Sequence, residues 1–283
     1  MALDQAIPMD GFDAAEMWLS ALRAAGRSPA TLASYRHAVD KLRAWRPGDL
    51  TTLSRFEAIR FVQHLSDNYA PGGVASRVRS LRAFFGWLVN EEFVAANPFA
   101  RIRISVPVEA KLTATEEDID RMLARAKGNP RDVALLTLLA DTGCRKGEIA
   151  AVTMADLDWR SGVVRLPQSK TVIRTVPLTD RTVVALGRWL KIRGVGPGSL
   201  WSSRRAPISD PYALVRKTVK RHSKGTLTPH ALRRAFAVNW LGRGGSETGL
   251  MRIAGWSSLE MVKVYSRARA DVLAADEFKR LMG

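Results

Sequence analysis

The sequence predicts a mainly α-helical protein of two domains, the second of which carries a small β-sheet or hairpin. Three observations support this: apolar residues recur with a helical period through the first hundred residues, a basic stretch broken by Pro107 follows, and two short β-branched runs then interrupt further helical segments. The 283 residues suffice for two apolar cores. We therefore expect a helical domain at 1–100, a linker at 101–112 and a mixed, mostly helical domain at 113–283.

Four amphipathic helices are predicted in the first domain. The second of them begins with Ser28 as N-cap and Pro29 at its first position. Asn97 and Pro98 are expected to end the fourth helix. Apolar residues at helical spacing are expected to bury one face of each helix: Trp18 and Leu22; Leu32, Tyr35, Val39, Leu42 and Trp45; Phe56, Ile59, Val62 and Leu65; and Val74, Val78, Leu81, Phe85 and Leu88.

The second domain is predicted to open with a helix that carries a capping box, Thr115 with Asp118. Later, the runs GVVRL and TVIRTVPL are rich in β-branched residues, and PQSKT between them indicates the turn of a hairpin. Helical patterns before and after this hairpin complete a mainly helical domain.

The charge of the chain is strongly and unevenly positive. The formal net charge is +17, of which residues 107–283 carry +14. Such an excess raises the local concentration of polyanions and speeds their capture. Nucleic acid is the favoured partner, and acidic membrane surfaces are the main alternative.

Several classes of protein are disfavoured. Apolar runs such as FFGWLV are far too short to cross a bilayer, and the N-terminus lacks a signal-peptide pattern. Cys144 is the only cysteine, which excludes a disulfide framework, and the four histidines lack metal-ligand spacing. We expect no metal, no cofactor and no membrane, and a cytoplasmic protein associated with the nucleoid.

Tyrosine, arginine, lysine and histidine remain for chemistry. A metal-free enzyme that breaks a phosphodiester needs a nucleophile, cationic donors for the non-bridging oxygens, a general base and an acid for the leaving 5′ oxygen. Tyr265 lies among Arg252, Lys263, Arg267 and Arg269, and nearby cations favour the phenolate form of a tyrosine. A nucleophile and a core aromatic with solvated neighbours are both consistent with this residue alone.

Two other segments place cations and a histidine at helix ends. In ADTGCRKGEIAAV a helix ends at Gly143 and Arg145 begins the next, and in TPHALRRAFA the residues His230 and Arg233 share one helix face. Singly, Arg145 could be a helix cap and His230 a core histidine. Together with Tyr265 they favour a phosphate-binding site.

These segments resemble the motifs of the tyrosine recombinases, also called phage integrases. TGCRKGEIAAVTMADLD resembles the family's first arginine box, PHALRRAFA its HxLRHxxA box, IAGWSSLEMVKVYSR its tyrosine box and SKTVIRTVPL its hairpin. The first hundred residues are similar to the family's helical core-binding (SAM-like) domain. The resemblance therefore covers essentially the whole chain.

The resemblance implies roles for individual residues. Tyr265 is the nucleophile, Lys170 protonates the leaving 5′ hydroxyl, and Trp256 stands where the family more often has histidine, with an indole N–H that can still donate. Position 234, often histidine in the family, is arginine here. The implied catalytic residues are Arg145, Lys170, His230, Arg233, Trp256 and Tyr265.

Nine basic residues are expected to contact DNA. Four lie on outer helix faces of the first domain, where a solvated face is an equally good interpretation. Five lie in the second domain. The nine are Arg36, Arg77, Arg79, Arg82, Lys146, Arg174, Lys220, Arg221 and Arg234.

The function implied by the resemblance is site-specific recombination of double-stranded DNA through a covalent 3′-phosphotyrosine, without ATP or metal. It further implies a homotetramer on two paired sites, docking of residues 270–283 on a neighbouring subunit, and accessory DNA-bending proteins as additional candidate partners. A type IB topoisomerase and a non-catalytic DNA-binding protein on the same fold are the alternatives. A Xer-like resolvase, a small phage integrase and a mobile-element recombinase fit the sequence equally well.

Overall fold

The structure is a computed structural model that describes residues 11–107, 112–167, 173–203 and 207–260, together with positions 262, 278, 279 and 282. It is mostly helical with one small antiparallel sheet, as the sequence predicts. By its internal contacts the chain divides into two compact units, Met1–Glu109 and Ala110–Gly283.

The described part of the first unit contains four α-helices, and their buried side chains belong to one apolar cluster. The Ser28 side chain accepts a hydrogen bond from the Thr31 N–H, and Pro29 is the first helical residue, as predicted. The helices are α1 (Gly11–Ala24), α2 (Pro29–Trp45), α3 (Arg55–Asn68) and α4 (Pro71–Asn90).

The end of α4 differs from the prediction. The helix stops at Asn90, well before Asn97 and Pro98. Glu92 adopts a left-handed φ of 62°, and the N–H of Phe93 donates to the carbonyl of Leu88 at 2.9 Å. This local turn closes the helix before the proline can act.

The buried face of α3 also differs from the prediction. Phe56 and Ile59 are 69% and 48% exposed, whereas Ala58, Phe61 and Leu65 are buried. Both sets have helical spacing, so periodicity alone does not distinguish them. Phe61 packs against Trp45 of α2, with ring centroids 5.3 Å apart.

The second unit surrounds α6, most of whose residues are buried. The predicted capping box of Thr115 with Asp118 opens α5. The helices are α5 (Glu116–Ala126), α6 (Pro130–Thr142), α7 (Lys146–Ala151), α8 (Asp180–Arg193), α9 (Pro211–His222), α10 (Pro229–Gly242) and α11 (Glu247–Ala254).

A three-stranded antiparallel sheet lies between α7 and α8 in the sequence. Its strands are β1 (Leu157–Asp158), β2 (Val163–Leu166) and β3 (Arg174–Pro177), in the order β1-β2-β3. The predicted hairpin is the β2–β3 pair, in which Leu166 faces Arg174, and β1 is an addition that its two-residue length hid from the sequence analysis. In the part of the chain that the structure describes, no helix is long and apolar enough to span a membrane.

Candidate active site

Connections between helices of the second unit bring charged side chains together. α6 ends at Gly143, whose φ is +58°, and Arg145 immediately precedes α7. A β-carbon at Gly143 would lie 2.3 Å from the ring of Phe236, so both the backbone and the packing favour glycine there. The first turns of α10 carry His230 and Arg233. The segments on either side of Gly143 are thereby brought next to α10.

Arg145 is held from two directions. Its Nη1 donates to Oε1 of Glu148 at 3.0 Å, and its Nη2 donates to the carbonyl of Gly255 at 3.0 Å. Its backbone N–H donates to Oε2 of Glu148 at 2.8 Å, which closes the first turn of α7. The side chain retains 27% exposure. Arg145 therefore precedes the helix in the manner of a cap, while its guanidinium is fixed and partly open to solvent.

Arg233 lies deeper, with only 2% of its surface exposed. Its Nη1 donates to the carbonyl of Gly143, and its Nη2 donates to the carbonyl of Ala254 at 2.7 Å. Burial, reinforced by the nearby charge of Arg145, lowers the pKa of the Arg233 guanidinium to about 10. The group remains charged at neutral pH, and its charge is not matched by a carboxylate of its own among the described residues.

The C-terminal end of α11 organises these arginines. Three successive carbonyls accept hydrogen bonds from three arginines, in the pairs Ile253 with Arg174, Ala254 with Arg233 and Gly255 with Arg145. We call these three carbonyls the α11 carbonyl cluster. The C-terminal end of a helix carries partial negative charge, which stabilises cations there. One helix end therefore sets the positions of both predicted catalytic arginines.

Glu148 and Arg174 complete the arrangement through an ion pair that the sequence motifs did not predict. Nη1 and Nη2 of Arg174 donate to Oε1 and Oε2 of Glu148, each at 2.9 Å. Burial disfavours ionised Glu148, but the hydrogen bonds from Arg174 and Arg145 outweigh it and lower the pKa of this carboxyl below its usual value. The available sequence signal was the position of Glu148, three residues after Arg145, where a helix-capping carboxylate is expected.

His230 and Trp256 are the two other described residues of the predicted catalytic set. His230 is exposed at the start of α10, which rules out the interpretation as a buried core histidine. Trp256 is only 6% exposed, and its ring centroid lies 5.1 Å from Cζ of Arg233. The indole therefore supports the buried guanidinium by a cation–π contact.

A cleft of about 580 Å³ opens over these groups. Arg145, His230 and Arg233 line it together with three exposed basic residues, Lys146, Arg216 and Lys220. Lys146 and Lys220 are among the predicted DNA contacts, whereas Arg216 was overlooked because one more cation in the run PYALVRKTVKRHS has no distinguishing spacing. The cleft is chemically suited to an anion of phosphate size and its attached chain.

A second cavity of about 660 Å³ lies elsewhere in the unit and includes Glu116, Asp120 and Asp141 in its lining. Arg181 and Arg243 also line this cavity, but they are paired with Asp141 and Glu116. Because the carboxylates offset these cations, the basic cleft is the better candidate for a phosphate. No group of three or more His, Cys, Asp or Glu side chains suited to a metal ion occurs within the described ranges.

Comparison with known proteins decides the family. The model of the phage integrase family matches residues 113–271, more than half of the chain. The chain belongs to the phage integrase family. The predicted recombinase fold and the predicted enzyme class, a tyrosine-type DNA recombinase, are therefore confirmed.

Individual relatives agree with this family. The chain is 28% identical to tyrosine recombinase XerC of Erythrobacter litoralis, over 88% of this chain and 85% of the relative. It is 27% identical to tyrosine recombinase XerD of Pseudomonas putida, over 99% of each. The fold is similar to that of a lambda integrase dimer bound to a COC′ core site, with a TM-score of 0.75 at 20% identity, over 90% of this chain and 76% of that one.

Two predicted residues of the phage integrase site, Lys170 and Tyr265, lie outside the described residues, as does most of the segment 270–283. The described part of that segment includes Phe278 and Met282, which are 66% and 73% exposed. The roles of Lys170 and Tyr265 therefore stay predictions.

In the first unit, the four arginines that were predicted to contact DNA differ in how they are bonded to the rest of the protein. Arg36 forms an ion pair with Glu16, in which Nη2 lies 2.7 Å from Oε2. Arg77 donates to the carbonyl of Gly73 at 3.0 Å, with Cζ 3.9 Å from the centroid of the Tyr69 ring.

Arg82 donates from Nε to the carbonyl of Phe99 at 3.2 Å and from Nη2 to the carbonyl of Ile102. It therefore fastens the chain that follows α4, a position that does not suit the predicted DNA contact. Arg79 is exposed on α4, so a DNA contact there stays a prediction.

In the second unit, two predicted DNA contacts are buried instead. The side chain of Arg174 is 7% exposed and bonded to Glu148. Arg234 is 8% exposed, and its Nε donates to the carbonyl of Leu112 at 2.9 Å. Neither side chain is available at the surface, so these two assignments are corrected. Arg221 is exposed and pairs with buried Asp132 at 3.1 Å, and its predicted DNA contact is untested.

Proposed function

We propose that this chain is a site-specific DNA recombinase that cuts and rejoins double-stranded DNA through a covalent 3′-phosphotyrosine at Tyr265. The observation that carries the proposal is the meeting of Arg145, Arg233 and His230 in one basic cleft of a phage integrase family member. Arg145 and Arg233 hold the attacked phosphate, and His230 and Lys170 serve the proton transfers.

The arginines suit a phosphate because their forks are fixed before the substrate arrives. Among the described residues, the side chains of Arg145 and Arg233 each use two of five N–H groups on protein oxygens. Donors therefore remain on both guanidinium groups for the two non-bridging oxygens. Fixed charges in a partly buried cleft stabilise developing negative charge more strongly than solvent-exposed charges do.

The reaction conserves phosphate ester bonds. The Tyr265 hydroxyl attacks the phosphorus, a bond forms between phosphorus and the phenolic oxygen, and the bond to the 5′ oxygen breaks. His230 is the proposed acceptor of the phenolic proton, and Lys170 is the proposed donor of a proton to the leaving 5′ oxygen. A 5′ hydroxyl from the partner duplex then attacks the phosphotyrosine and restores the phosphodiester, so no ATP is consumed.

The proposed partners are two DNA sites and three further copies of this chain. A structural neighbour with a TM-score of 0.75 is a lambda integrase tetramer bound to a Holliday junction. By that likeness we propose a homotetramer on paired sites, to which accessory DNA-bending proteins can be added. The net charge of +17 supports action on nucleoid DNA in the cytoplasm.

The test begins by finding a site and ends by trapping the intermediate. Incubating the protein with sheared host DNA, stopping with denaturant and sequencing the DNA that remains attached to protein identifies the cleavage site. A duplex of this site with a nick close to the scissile phosphate then loses its short strand after cleavage, which prevents religation. We expect the parent to accumulate a slow band on a denaturing gel.

Tyr265→Phe removes only the hydroxyl, so it should bind the same duplex with unchanged affinity and form no slow band. Tyr212→Phe is the matched control, because Tyr212 is 44% exposed in the same unit and lies in a basic stretch. It should cleave like the parent. A slow band from Tyr265→Phe that is absent from Tyr212→Phe would assign the nucleophile to Tyr212.

Strand exchange separates the proposal from its alternatives. A recombinase should join two different labelled duplexes that carry the mapped site. A type IB topoisomerase would form the adduct and relax supercoils without exchanging partners, and a non-catalytic DNA-binding protein would form no adduct.

A further inference from the structure

Arg174 is the most buried charged side chain on the sheet, and it bonds to the carboxylate that also holds Arg145. It lies at the start of β3, and its Nε donates to the carbonyl of Ile253 at 2.8 Å, one of the carbonyls of the α11 carbonyl cluster. Its two Nη atoms donate hydrogen bonds to the two carboxylate oxygens of Glu148, each at 2.9 Å. One side chain therefore links the sheet, α7 and the end of α11.

Glu148 is shared between two arginines. Its Oε1 accepts from Nη1 of Arg174 at 2.9 Å and from Nη1 of Arg145 at 3.0 Å. Its Oε2 accepts from Nη2 of Arg174 at 2.9 Å and from the backbone N–H of Arg145 at 2.8 Å. With Arg174 removed, Arg145 would be the sole cation bonded to this buried carboxylate among the described residues.

We propose that Arg174 is a positioning residue for DNA cleavage, which matches the charge of Glu148 so that the charge of Arg145 stays available to the scissile phosphate. This inference rests on the proposed function. It assigns to Arg174 a role inside the protein in place of the DNA contact that its sequence position suggested.

The charge balance explains why the match matters. Arg145, Arg174 and Arg233 together with Glu148 have a net charge of +2. A phosphodiester carries one negative charge and acquires a second as the phenolate adds to phosphorus. Replacing Arg174 by a neutral residue reduces the cluster to +1 and leaves Glu148 opposed only by Arg145. Because charges interact strongly in a partly buried site, the loss falls mainly on the doubly charged transition state.

The geometry requires an arginine. The two parallel bonds to Glu148 and the third bond from Nε to Ile253 use the fixed planar fork of a guanidinium. A lysine at this position would supply the charge but could not make the same three bonds. Arg174→Lys should therefore retain part of the activity that Arg174→Gln loses.

The test compares two nicked duplexes of the mapped site. One carries the normal phosphodiester, and the other carries a methylphosphonate at the scissile position, which removes one negative charge. Arg174→Gln should cleave the normal duplex roughly ten- to a hundredfold more slowly than the parent, less than the loss caused by removing a direct donor. On the methylphosphonate duplex, the same variant should lie within about threefold of the parent, because the charge that Arg174 balances is no longer needed.

Controls separate positioning from folding and from DNA contact. Arg165→Gln removes an arginine of the adjacent strand that is 57% exposed and pairs with Asp156, and it should cleave both duplexes like the parent. Affinity for uncleaved duplex should be unchanged in Arg174→Gln, because the side chain is buried. Circular dichroism establishes that each variant is folded at the assay temperature, and Arg174→Lys replaces Arg174→Gln if the latter is not.

The outcomes are distinct. Unchanged cleavage by a folded Arg174→Gln, or equal losses on the two duplexes, would overturn the inference while leaving the recombinase proposal intact. Weakened binding of uncleaved duplex with normal cleavage at saturation would restore the DNA-contact assignment. If the parent itself forms no adduct, the proposed function fails and the role of Arg174 fails with it.

Discussion

The arginines of the two units are neutralised in different ways. In the first unit, Arg46 pairs with Glu57 at 2.8 Å, and Arg36 pairs with Glu16, so each arginine has a carboxylate of its own at a partly exposed position. At the cleft of the second unit, Arg145 and Arg174 share the carboxylate of Glu148, whereas Arg233 donates to the carbonyls of Gly143 and Ala254. These two ion pairs of the first unit are neutral and lie near water, whereas the cleft holds uncompensated positive charge in a partly buried setting.

The unmatched positive charge at the cleft is unfavourable for folding but suits the binding of an anion. Burying an unmatched charge costs free energy of folding, and the lowered pKa of Arg233, about 10, expresses that cost. A structural role alone would be served as well by a matched pair such as Arg46 with Glu57. An arrangement that retains excess positive charge is stabilised when an anion occupies the cleft, which suits a phosphate-binding site.

The largest difference is expected when an arginine of each unit becomes lysine. Arg145→Lys keeps the charge but loses the planar fork, so cleavage of the nicked duplex should slow by about 10²–10³-fold. Arg46→Lys makes the same change at a surface pair and should leave the cleavage rate within about twofold of the parent. Equal rates for the two variants would show that the fork of Arg145 does not act on the phosphate.

Removing the carboxylate of Glu148 should destabilise the protein more than removing that of Glu57. Glu148→Gln leaves buried Arg174 and partly exposed Arg145 without their carboxylate, so the free energy of unfolding at pH 7 should fall by about 3–5 kcal/mol. The pKa of Glu148 is lowered from 4.5, so its ionised form contributes stability above pH 4.5, and this contribution disappears as the pH falls through the lowered folded value. Denaturant titrations should therefore show parent and variant converging below pH 4.5.

Glu57 is the matched control for this stability measurement. Bonds from Ser54 and Arg46 lower the pKa of Glu57 to about 2, but the pair is near the surface. Glu57→Gln should shift the denaturation midpoint less than Glu148→Gln does, because surface ion pairs contribute little. The reverse order would contradict the contrast between the two units.

Two left-handed glycines provide a smaller test. Gly255 has a φ of +66°, and a β-carbon there would lie 2.4 Å from Nη1 of Arg174, whereas Gly26 has a φ of +74° and no atom within 4 Å of such a β-carbon. Gly26→Ala should cost only the backbone strain, about 1–2 kcal/mol. Gly255→Ala should cost more and also slow cleavage, since Arg174 must move away from Glu148. Normal cleavage by Gly255→Ala would show that the site tolerates a β-carbon next to Arg174.

The smallest expected effect is that of metal removal. The proposed site uses guanidinium groups for the role that metal ions play in many other nucleases. Cleavage in excess EDTA should therefore match cleavage without it. The comparison is made on the nicked duplex, with and without added magnesium. Loss of cleavage in EDTA that magnesium restores would contradict the proposed chemistry.

Much of the fold was predictable because local signals were strong. The N-cap Ser28 and the capping box of Thr115 with Asp118 stand in the structure as the sequence indicated. The buried face of α3 was not predictable, because two overlapping apolar stripes, one with Phe56 and one with Phe61, have the same spacing. Packing against neighbouring helices chose between them.

The motifs of the candidate site could be predicted from the sequence, but the contacts that hold its arginines in place could not. Arg145, His230 and Arg233 follow from short segments whose residue types suit phosphate chemistry. The pairing of Arg174 with Glu148, and the bond from Arg174 to Ile253, join residues that are far apart in sequence. A basic residue in a strand gives no local sign of whether it faces DNA or a buried carboxylate, so Arg174 was assigned to the wrong environment.

Identification of the attached residue tests the central claim most directly. The covalent complex trapped on the nicked duplex is digested with nuclease and protease, and the modified peptide is sequenced by mass spectrometry. The account predicts a nucleotide whose 3′ phosphate is esterified to the phenolic oxygen of Tyr265. Attachment at Tyr212 or another residue, or through the 5′ end, would contradict it.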